Sequence, residues 1–180
     1  TPLYSSAASD VYKRQGEVFA TPETLAIMGL RYNTGEEGVG VPMREPVDLG
    51  CGVTASWYPA GHVLGSAQIL LEHAGERVVV TGDYKRRSDP TCPPFEVVPC
   101  DIFVTEATFG LPVFRHPPIE EEIAKLTEAL AAAPDRCVAV GAYALGKAQR
   151  VIAELRRLGH QDPIYPVSYT HLTLPTNREV

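Results

Sequence analysis

The stretch PAGHVLGSAQILLEHAGERVVVTGDYK, residues 59–85, decides how the surrounding chain folds. Residues 67–73 and 77–81 are two apolar runs, and the short polar turn at 74–76 separates them. Two such runs around a short turn that contains glycine are typical of an antiparallel hairpin. The sequence therefore predicts that this stretch forms two neighbouring strands of a sheet.

The hairpin has a consequence for two polar side chains that bracket it. Folding the chain about Gly75 places Asp83 level with Ala67. The loop at residues 61–66 then brings His62 round to the same end of the sheet. We therefore expect one imidazole and one carboxylate to converge there.

Composition and charge limit the class of protein. The 180 residues are 44% hydrophobic and 21% charged, which suits a folded globular protein. No apolar run approaches the roughly 20 residues that cross a bilayer, and no signal-peptide pattern opens the chain, so we expect a cytoplasmic protein without a membrane partner. A net charge of −6 argues against a general nucleic-acid coating protein. It leaves room for an enzyme that binds phosphate through a metal and a few local cations.

Strand and helix patterns alternate along the interior of the chain. Thr21-Pro22-Glu23 combines an N-cap, a first-turn proline and an acid, which predicts a helix as far as about residue 31. The periodicity predicts these further elements: strands at 53–58, 101–105 and 137–140, and helices at 119–133 and 147–158. A hairpin first and alternating helix and strand later indicate an α/β chain with two regions.

The two ends of the chain differ from its interior. Residues 1–15 and 167–180 have no clear helical or strand period, and both resemble translated adapter sequence that recurs at the ends of reading frames assembled from short reads. We predict that both segments are non-native and exclude them from the fold. We accordingly expect the interior to be a fragment of a longer protein.

Three sequence motifs, in this order along the chain, resemble those of a known protein family. GHVLGSAQILLE, VVVTGDYKR and DIFVTEATFG resemble the metallo-β-lactamase-fold nucleases of the β-CASP group, and most closely the bacterial ligase-associated DNA exonucleases. The resemblance runs from about residue 17 to residue 165. It implies a partial metallo-β-lactamase αββα sandwich at 16–112, with a mixed or antiparallel sheet that includes the hairpin. The start of a β-CASP βαβ cap would follow at 113–166.

The resemblance also implies roles for three residues. In such enzymes a histidine of a Gly-His loop and an aspartate of a Gly-Asp-aromatic turn are metal ligands, and His62 and Asp83 match them. Asp83 would bridge two divalent ions, zinc or manganese. Glu106 matches an active-site acid at the start of the β-CASP region, so Asp83 and Glu106 are the expected catalytic residues. Taken without the resemblance, a single loop histidine and a single turn aspartate are more often ordinary surface residues.

The function implied by this resemblance is that of a metal-dependent phosphodiesterase. A metal-activated water would attack the phosphodiester in DNA exonuclease work during repair, with DNA preferred over RNA and a DNA ligase or helicase as partner. An RNA-processing nuclease of the same group is the alternative. The family's His-x-His-x-Asp-His run is absent from this sequence. Because catalytic metal sites use about three protein ligands, we expect this polypeptide itself to be inactive.

Cations near the expected site are candidates for binding substrate phosphate. Lys85 and Arg86 lie close to Asp83 in the sequence, just after Tyr84. Short runs of charged residues are, however, often merely solvated. Lys147 belongs to GAYALGKA, which fits the phosphate loop G-x-x-x-x-G-K-[ST] except that Ala148 lacks the hydroxyl that binds magnesium. We prefer a turn between strand and helix whose Lys147 and Arg150 are solvated or contact nucleic-acid phosphate. A nucleotide-binding module remains an alternative, as does a small-molecule metallo-hydrolase, which would have no use for residues 119–165.

Overall fold

The computed structural model describes residues 17–32 and 38–166. The chain divides into two compact units, Thr1–Thr108 and Phe109–Val180, which are described separately below. The adapter-like segments predicted at 1–15 and 167–180 lie outside the described residues, so their non-native origin stays a prediction. The identification of the two regions 16–112 and 113–166 with particular domains also stays a prediction.

A mixed sheet of five strands forms the centre of the first unit. The elements of this unit are β1 (Phe19–Ala20), α1 (Pro22–Tyr32), β2 (Val39–Gly40), β3 (Pro46–Gly50), β4 (Val53–Pro59), β5 (Ala67–His73), β6 (Glu76–Val80) and β7 (Ile102–Val104). The sheet order is β3-β4-β5-β6-β7, and every neighbouring pair is antiparallel except β6 with β7. β1 and β2 form a separate parallel pair.

The predicted hairpin is confirmed as β5 and β6, but its register is shifted by one residue. His73 pairs with Glu76, so the turn has two residues and the predicted three-residue turn is wrong. Ala74 has φ 50° and Gly75 has φ 87°, and two-residue hairpin turns favour such positive φ angles because their twist matches that of the strands. Continued past Val80, this register sets Gly82 rather than Asp83 opposite Ala67.

Both faces of the central strands are covered by apolar side chains. Because successive side chains of a strand point to opposite faces of the sheet, one strand can contribute side chains to a cluster on each face. One face carries the buried cluster Val41, Ala55 and Trp57. The other face carries the buried cluster Leu70, Val79 and Val98. The sheet is therefore the middle layer of the first unit.

The start of α1 is tied to the loop between β4 and β5. Thr21 is buried, and its hydroxyl oxygen accepts the Thr24 N–H at 3.3 Å, which agrees with the predicted N-cap. The same hydroxyl donates to the Gly65 carbonyl at 2.8 Å, and the Thr24 hydroxyl donates to that carbonyl at 3.0 Å. A local helix cap thus also anchors a loop that is distant in sequence.

The described part of the second unit contains two helices, α2 (Ile119–Ala132) and α3 (Lys147–Arg157), close to their predicted bounds. Ion pairs support this unit: the Arg157 guanidinium lies 2.8 Å from carboxylate oxygens of both Glu120 and Glu154. The strand predicted at 137–140 is wrong, because these residues form no strand and both Cys137 and Val140 are exposed. A strand needs a neighbour for its backbone hydrogen bonds, and the described part of this unit contains no other strand. The expected βαβ pattern is therefore not seen there.

The predicted α/β class is confirmed by the mixed sheet and the three helices of the described residues. Within residues 17–32 and 38–166, the structure has no helix that is long and apolar enough to cross a membrane.

We expect Thr21→Ala to lower the free energy of unfolding of the first unit by about 1–2 kcal/mol, since loss of an N-cap hydroxyl costs about 0.5–2 kcal/mol. The substitution also removes a hydrogen bond to the Gly65 carbonyl. Urea unfolding measures the change. Thr21→Ser keeps the hydroxyl and should stay close to the wild type, so equal losses in the two variants would contradict the capping role.

Candidate active site

His62 and Asp83 meet at one end of the sheet, as the hairpin argument predicts. The Nε2 atom of His62 lies 4.0 Å from Oδ2 of Asp83. Their side chains are 44% and 45% exposed, so solvent and a substrate can reach both. The structure therefore brings together the two residues expected to bind metal, although their role as ligands stays a prediction.

A serine holds the backbone of His62 in place. The Ser66 hydroxyl oxygen accepts the N–H groups of His62 and Val63, each at 3.1 Å. The Ser66 carbonyl accepts the Ala60 N–H at 3.1 Å. Serine hydroxyls often stabilise tight loops in this way, and the Gly-rich spacing around Ser66 was a signal that sequence reasoning missed. Ser66 therefore acts as a positioning residue for His62.

The segments that carry His62 and Asp83 touch through their backbones. The Lys85 N–H donates to the Ala60 carbonyl at 2.9 Å. Gly61 has φ 70°, and a Cβ atom at this position would overlap the Lys85 carbonyl oxygen and lie 2.8 Å from the Phe95 nitrogen. Only glycine permits both the left-handed backbone and this close approach.

A buried glutamine adds a further link between the same segments. The Gln68 side-chain amide donates to the Pro59 carbonyl at 3.2 Å and to the Glu96 carbonyl. The Glu96 N–H donates in turn to the Pro59 carbonyl at 3.1 Å. The position of the loop that carries His62 is therefore set by the long segment after β6 as well as by β4 and β5.

Glu106 lies within electrostatic reach of His62 and is held in its ionised form. The Thr108 N–H donates to the Glu106 carboxylate at 2.8 Å. This hydrogen bond is the main cause that lowers the pKa of Glu106, and the charge of His62 lowers it further. Even so, the described residues contain no group of three or more His, Cys, Asp or Glu side chains arranged to hold a metal ion.

Of the expected phosphate-binding cations, Lys85 already has a partner within the protein. Its ammonium pairs with the Asp89 carboxylate, and the two side chains are only 22% and 4% exposed. Burial alone would raise the pKa of Asp89, but hydrogen bonds from Lys85 and Thr91 outweigh it and lower the pKa. The Lys85 charge is therefore largely compensated before any substrate arrives.

The other two cations are accessible. Arg86 is exposed on the segment that follows Asp83. Lys147 is exposed at the first position of α3 and belongs to the second unit. For all three cations, phosphate binding stays a prediction.

The pair of His62 and Asp83 fits part of a metal site. Two ligand atoms bonded to one tetrahedral zinc ion at about 2.1 Å lie about 3.4 Å apart, so the observed pair would need to close by only about half an ångström. Imidazole nitrogen and carboxylate oxygen are both suitable donors for zinc or manganese. A catalytic ion uses about three protein ligands, and among the described residues this pair would provide two of them.

Curated proteins from distant organisms are similar to this chain. A protein named "Probable DNA ligase" from Opitutus terrae is 31% identical over 173 residues, which is 93% of this chain and 16% of that protein. An "Endoribonuclease ysh1" from Emericella nidulans is 37% identical over 111 residues, 59% of this chain and 12% of the relative. "Cleavage and polyadenylation specificity factor 73" from Drosophila melanogaster is 33% identical over 115 residues, 62% of this chain and 17% of the relative. The chain thus spans less than a fifth of the length of each of these three relatives. No protein-family model matches it.

Gly61→Ala and Gly75→Ala form a matched pair of substitutions. Both residues have a left-handed backbone, where a Cβ atom costs about 1–2 kcal/mol. Around Gly75 a Cβ atom would meet nothing within 4 Å, whereas at Gly61 it overlaps the backbone of Lys85. We expect Gly61→Ala to reduce the free energy of unfolding by about 2 kcal/mol more than Gly75→Ala, because of this overpacking. Urea unfolding measures both variants, and equal losses would contradict the close backbone contact.

Asp89→Asn should destabilise the first unit by about 2–3 kcal/mol, because it removes the counter-charge of a largely buried lysine. The stabilisation has a definite pH range. Since the folded pKa of Asp89 is lowered, the stabilisation is fully present above the unfolded carboxyl pKa of about 3.9 and is lost as the pH falls through the lower folded value. The difference between wild type and variant should therefore shrink below about pH 4.

Arg44→Gln is the control for the Asp89 substitution. It breaks the ion pair of Arg44 with Glu96, whose side chains are far more accessible, and exposed pairs contribute at most about 1 kcal/mol. Chemical unfolding of both variants at several pH values makes the comparison. A loss for Asp89→Asn no larger than that for Arg44→Gln would refute the buried ion pair.

Proposed function

We propose that this chain is part of a metal-dependent phosphodiesterase that cleaves nucleic acid. One observation carries the proposal: an imidazole and a carboxylate from two separate segments lie 4.0 Å apart at an accessible end of the sheet. The names of the relatives, among them an endoribonuclease, support a nuclease. Because the chain spans only a small part of those relatives, the activity is proposed for a whole protein that contains it.

The proposed fold is a partial metallo-β-lactamase sandwich at 16–112 followed by the start of a β-CASP region at 113–166. The mixed sheet with apolar clusters on both faces supports the first part. The relatives support a β-CASP nuclease family in general. They do not specifically support the bacterial ligase-associated DNA exonucleases.

In the proposed site His62 and Asp83 would be ligands of two divalent ions, zinc or manganese. Such an ion supplies Lewis-acid catalysis for the attack of water on the phosphodiester. Glu106 accepts the Thr108 N–H and lies within electrostatic reach of His62. It would help to orient the metal ligands or the attacking water, as carboxylates beside metal ligands do.

Substrate phosphate is bound in this proposal by Arg86 and Lys147, which are accessible. Lys85 is the weakest of the three proposed contacts, since a phosphate would have to displace the Asp89 carboxylate from it. Arg86, close to Asp83 in the sequence of the first unit, would counter the charge of the substrate backbone, and Lys147 would make a separate phosphate contact on the second unit.

RNA is at least as well supported as DNA as the substrate. Relatives named as endoribonucleases and as a cleavage and polyadenylation factor favour RNA processing. The expected preference for DNA, and the expected ligase or helicase partner, do not have comparable support. Both nucleic acids therefore belong in the test. We further propose that these 180 residues alone do not cleave nucleic acid, because their described part would supply only two metal ligands.

The decisive experiment uses a full-length protein that contains this chain, with labelled single-stranded RNA and DNA of the same sequence in the presence of zinc or manganese. His62→Ala and Asp83→Ala should each reduce cleavage by more than about 100-fold, since even outer-shell partners of a metal contribute about 10- to 100-fold.

His73→Ala is the matched control for His62→Ala. This exposed histidine lies at the other end of β5, about 20 Å along the strand from Ala67, and its loss should leave cleavage unchanged. Circular dichroism checks that all three variants are folded. Unchanged cleavage in folded Asp83→Ala would overturn the proposed function.

A further inference from the structure

The turn before α3 presents an aromatic ring beside a cation. Tyr143 is 72% exposed. The Lys147 ammonium nitrogen lies 4.6 Å from the centroid of this ring. The cation lies over one face of the ring, and both residues are exposed.

Hydrogen bonds within the turn hold this pair in place. The Ala148 N–H donates to the Tyr143 carbonyl at 3.1 Å, and the Lys147 N–H donates to the Leu145 carbonyl at 3.1 Å. The Gln149 side-chain amide donates to the Ala144 carbonyl at 2.8 Å. A backbone that is ordered before binding has a smaller entropic cost when a ligand arrives.

Open space lies beside the ring. Gly141, Ala142, Tyr143 and Lys147 line a recess of about 310 Å³. A Cβ atom added at Gly141 would meet nothing within 4 Å, which shows that the protein does not fill the space above this backbone. Small-molecule sites span about 300–1,000 Å³, so a recess at the lower limit suits a single planar group such as a nucleobase.

The local charge favours an anionic ligand. Residues 137–153 contain Lys147 and Arg150 but no aspartate or glutamate, although the whole chain has a net charge of −6. A cationic segment in an acidic protein attracts a polyanion to one place instead of to the whole surface.

We infer that Tyr143 and Lys147 form a binding subsite for single-stranded nucleic acid. One base stacks on the ring of Tyr143, and a neighbouring phosphate pairs with the Lys147 ammonium. A base within a duplex is covered on both faces by its neighbours, so a single strand binds better than a duplex. The inference deepens the proposed function, on which it rests, by adding a base-stacking contact to the phosphate contact proposed for Lys147.

The test is a binding measurement with the complete chain, by fluorescence anisotropy of labelled oligothymidine and oligouridine in the presence of a chelator, so that nothing is cleaved. Tyr143→Ala should weaken binding about 10-fold, as expected for the loss of one stacked base. Tyr143→Phe keeps the ring and should stay within about 2-fold of the wild type. Lys147→Gln should weaken binding and reduce the slope of log affinity against log salt by about one phosphate contact.

Lys125→Gln is the charge control. It removes one exposed lysine of α2 from the same unit and should leave the affinity within about 2-fold of the wild type. Three results would overturn the inference: absence of binding by the wild type, an unchanged affinity in folded Tyr143→Ala, or equally tight binding of an abasic oligomer, which would mean attraction to phosphate alone.

The two proposals fail separately. If Tyr143→Ala binds the oligonucleotide as tightly as the wild type does, the cleavage test of His62 and Asp83 is unaffected. Cleavage that survives Asp83→Ala would overturn the metal site while a stacking effect of Tyr143 still stands.

Discussion

A close backbone contact between two segments of the first unit is the constraint on which the candidate site depends. Ala60 and Lys85 share a hydrogen bond, and Gly61 permits an approach that no side chain would allow. The hairpin of β5 and β6 returns the two segments to the same end of the sheet, and this contact then brings His62 and Asp83 to a separation of 4.0 Å. The contact turns a loop histidine and a turn aspartate into one polar site.

Some charged groups near this contact stabilise the fold, and others remain accessible to a ligand. Lys85 and Asp89 neutralise each other where both are largely buried, and so they stabilise the segment that follows Asp83. Glu106 is kept ionised by a backbone amide, which places a fixed negative charge near His62. His62 and Asp83 themselves remain accessible. The site therefore combines a rigid backbone with reactive groups that still face solvent, which is what binding of a large anionic substrate requires.

The second unit offers chemistry of a different kind. Its turn before α3 carries an exposed ring and a cation, and residues 137–153 contain no aspartate or glutamate, a combination that suits the proposed contact with the bases and phosphates of a single strand. A protein that both cleaves and holds a strand needs contacts of each type, because metal ligands by themselves do not select single strands.

Several features of the structure could be predicted from local sequence patterns. The hairpin, the N-cap at Thr21 and the helices at 119–133 and 147–158 follow from periodicity, turn residues and capping, and the structure has all of them within a few residues. The convergence of His62 and Asp83 also follows from the hairpin, because folding the chain back on itself returns both ends to one place. These features depend on interactions between residues close in sequence.

Other features were decided only by tertiary structure. The strand predicted at 137–140 is absent because the described part of its unit contains no neighbouring strand. The close approach of Gly61 to Lys85 and Phe95, and the hydrogen bond from Gln68 to Glu96, depend on how segments that are distant in sequence pack against each other. Hydrophobic period predicts which face of an element is buried, but register and polar partners are set by the complete arrangement of neighbours, which no short window of sequence contains.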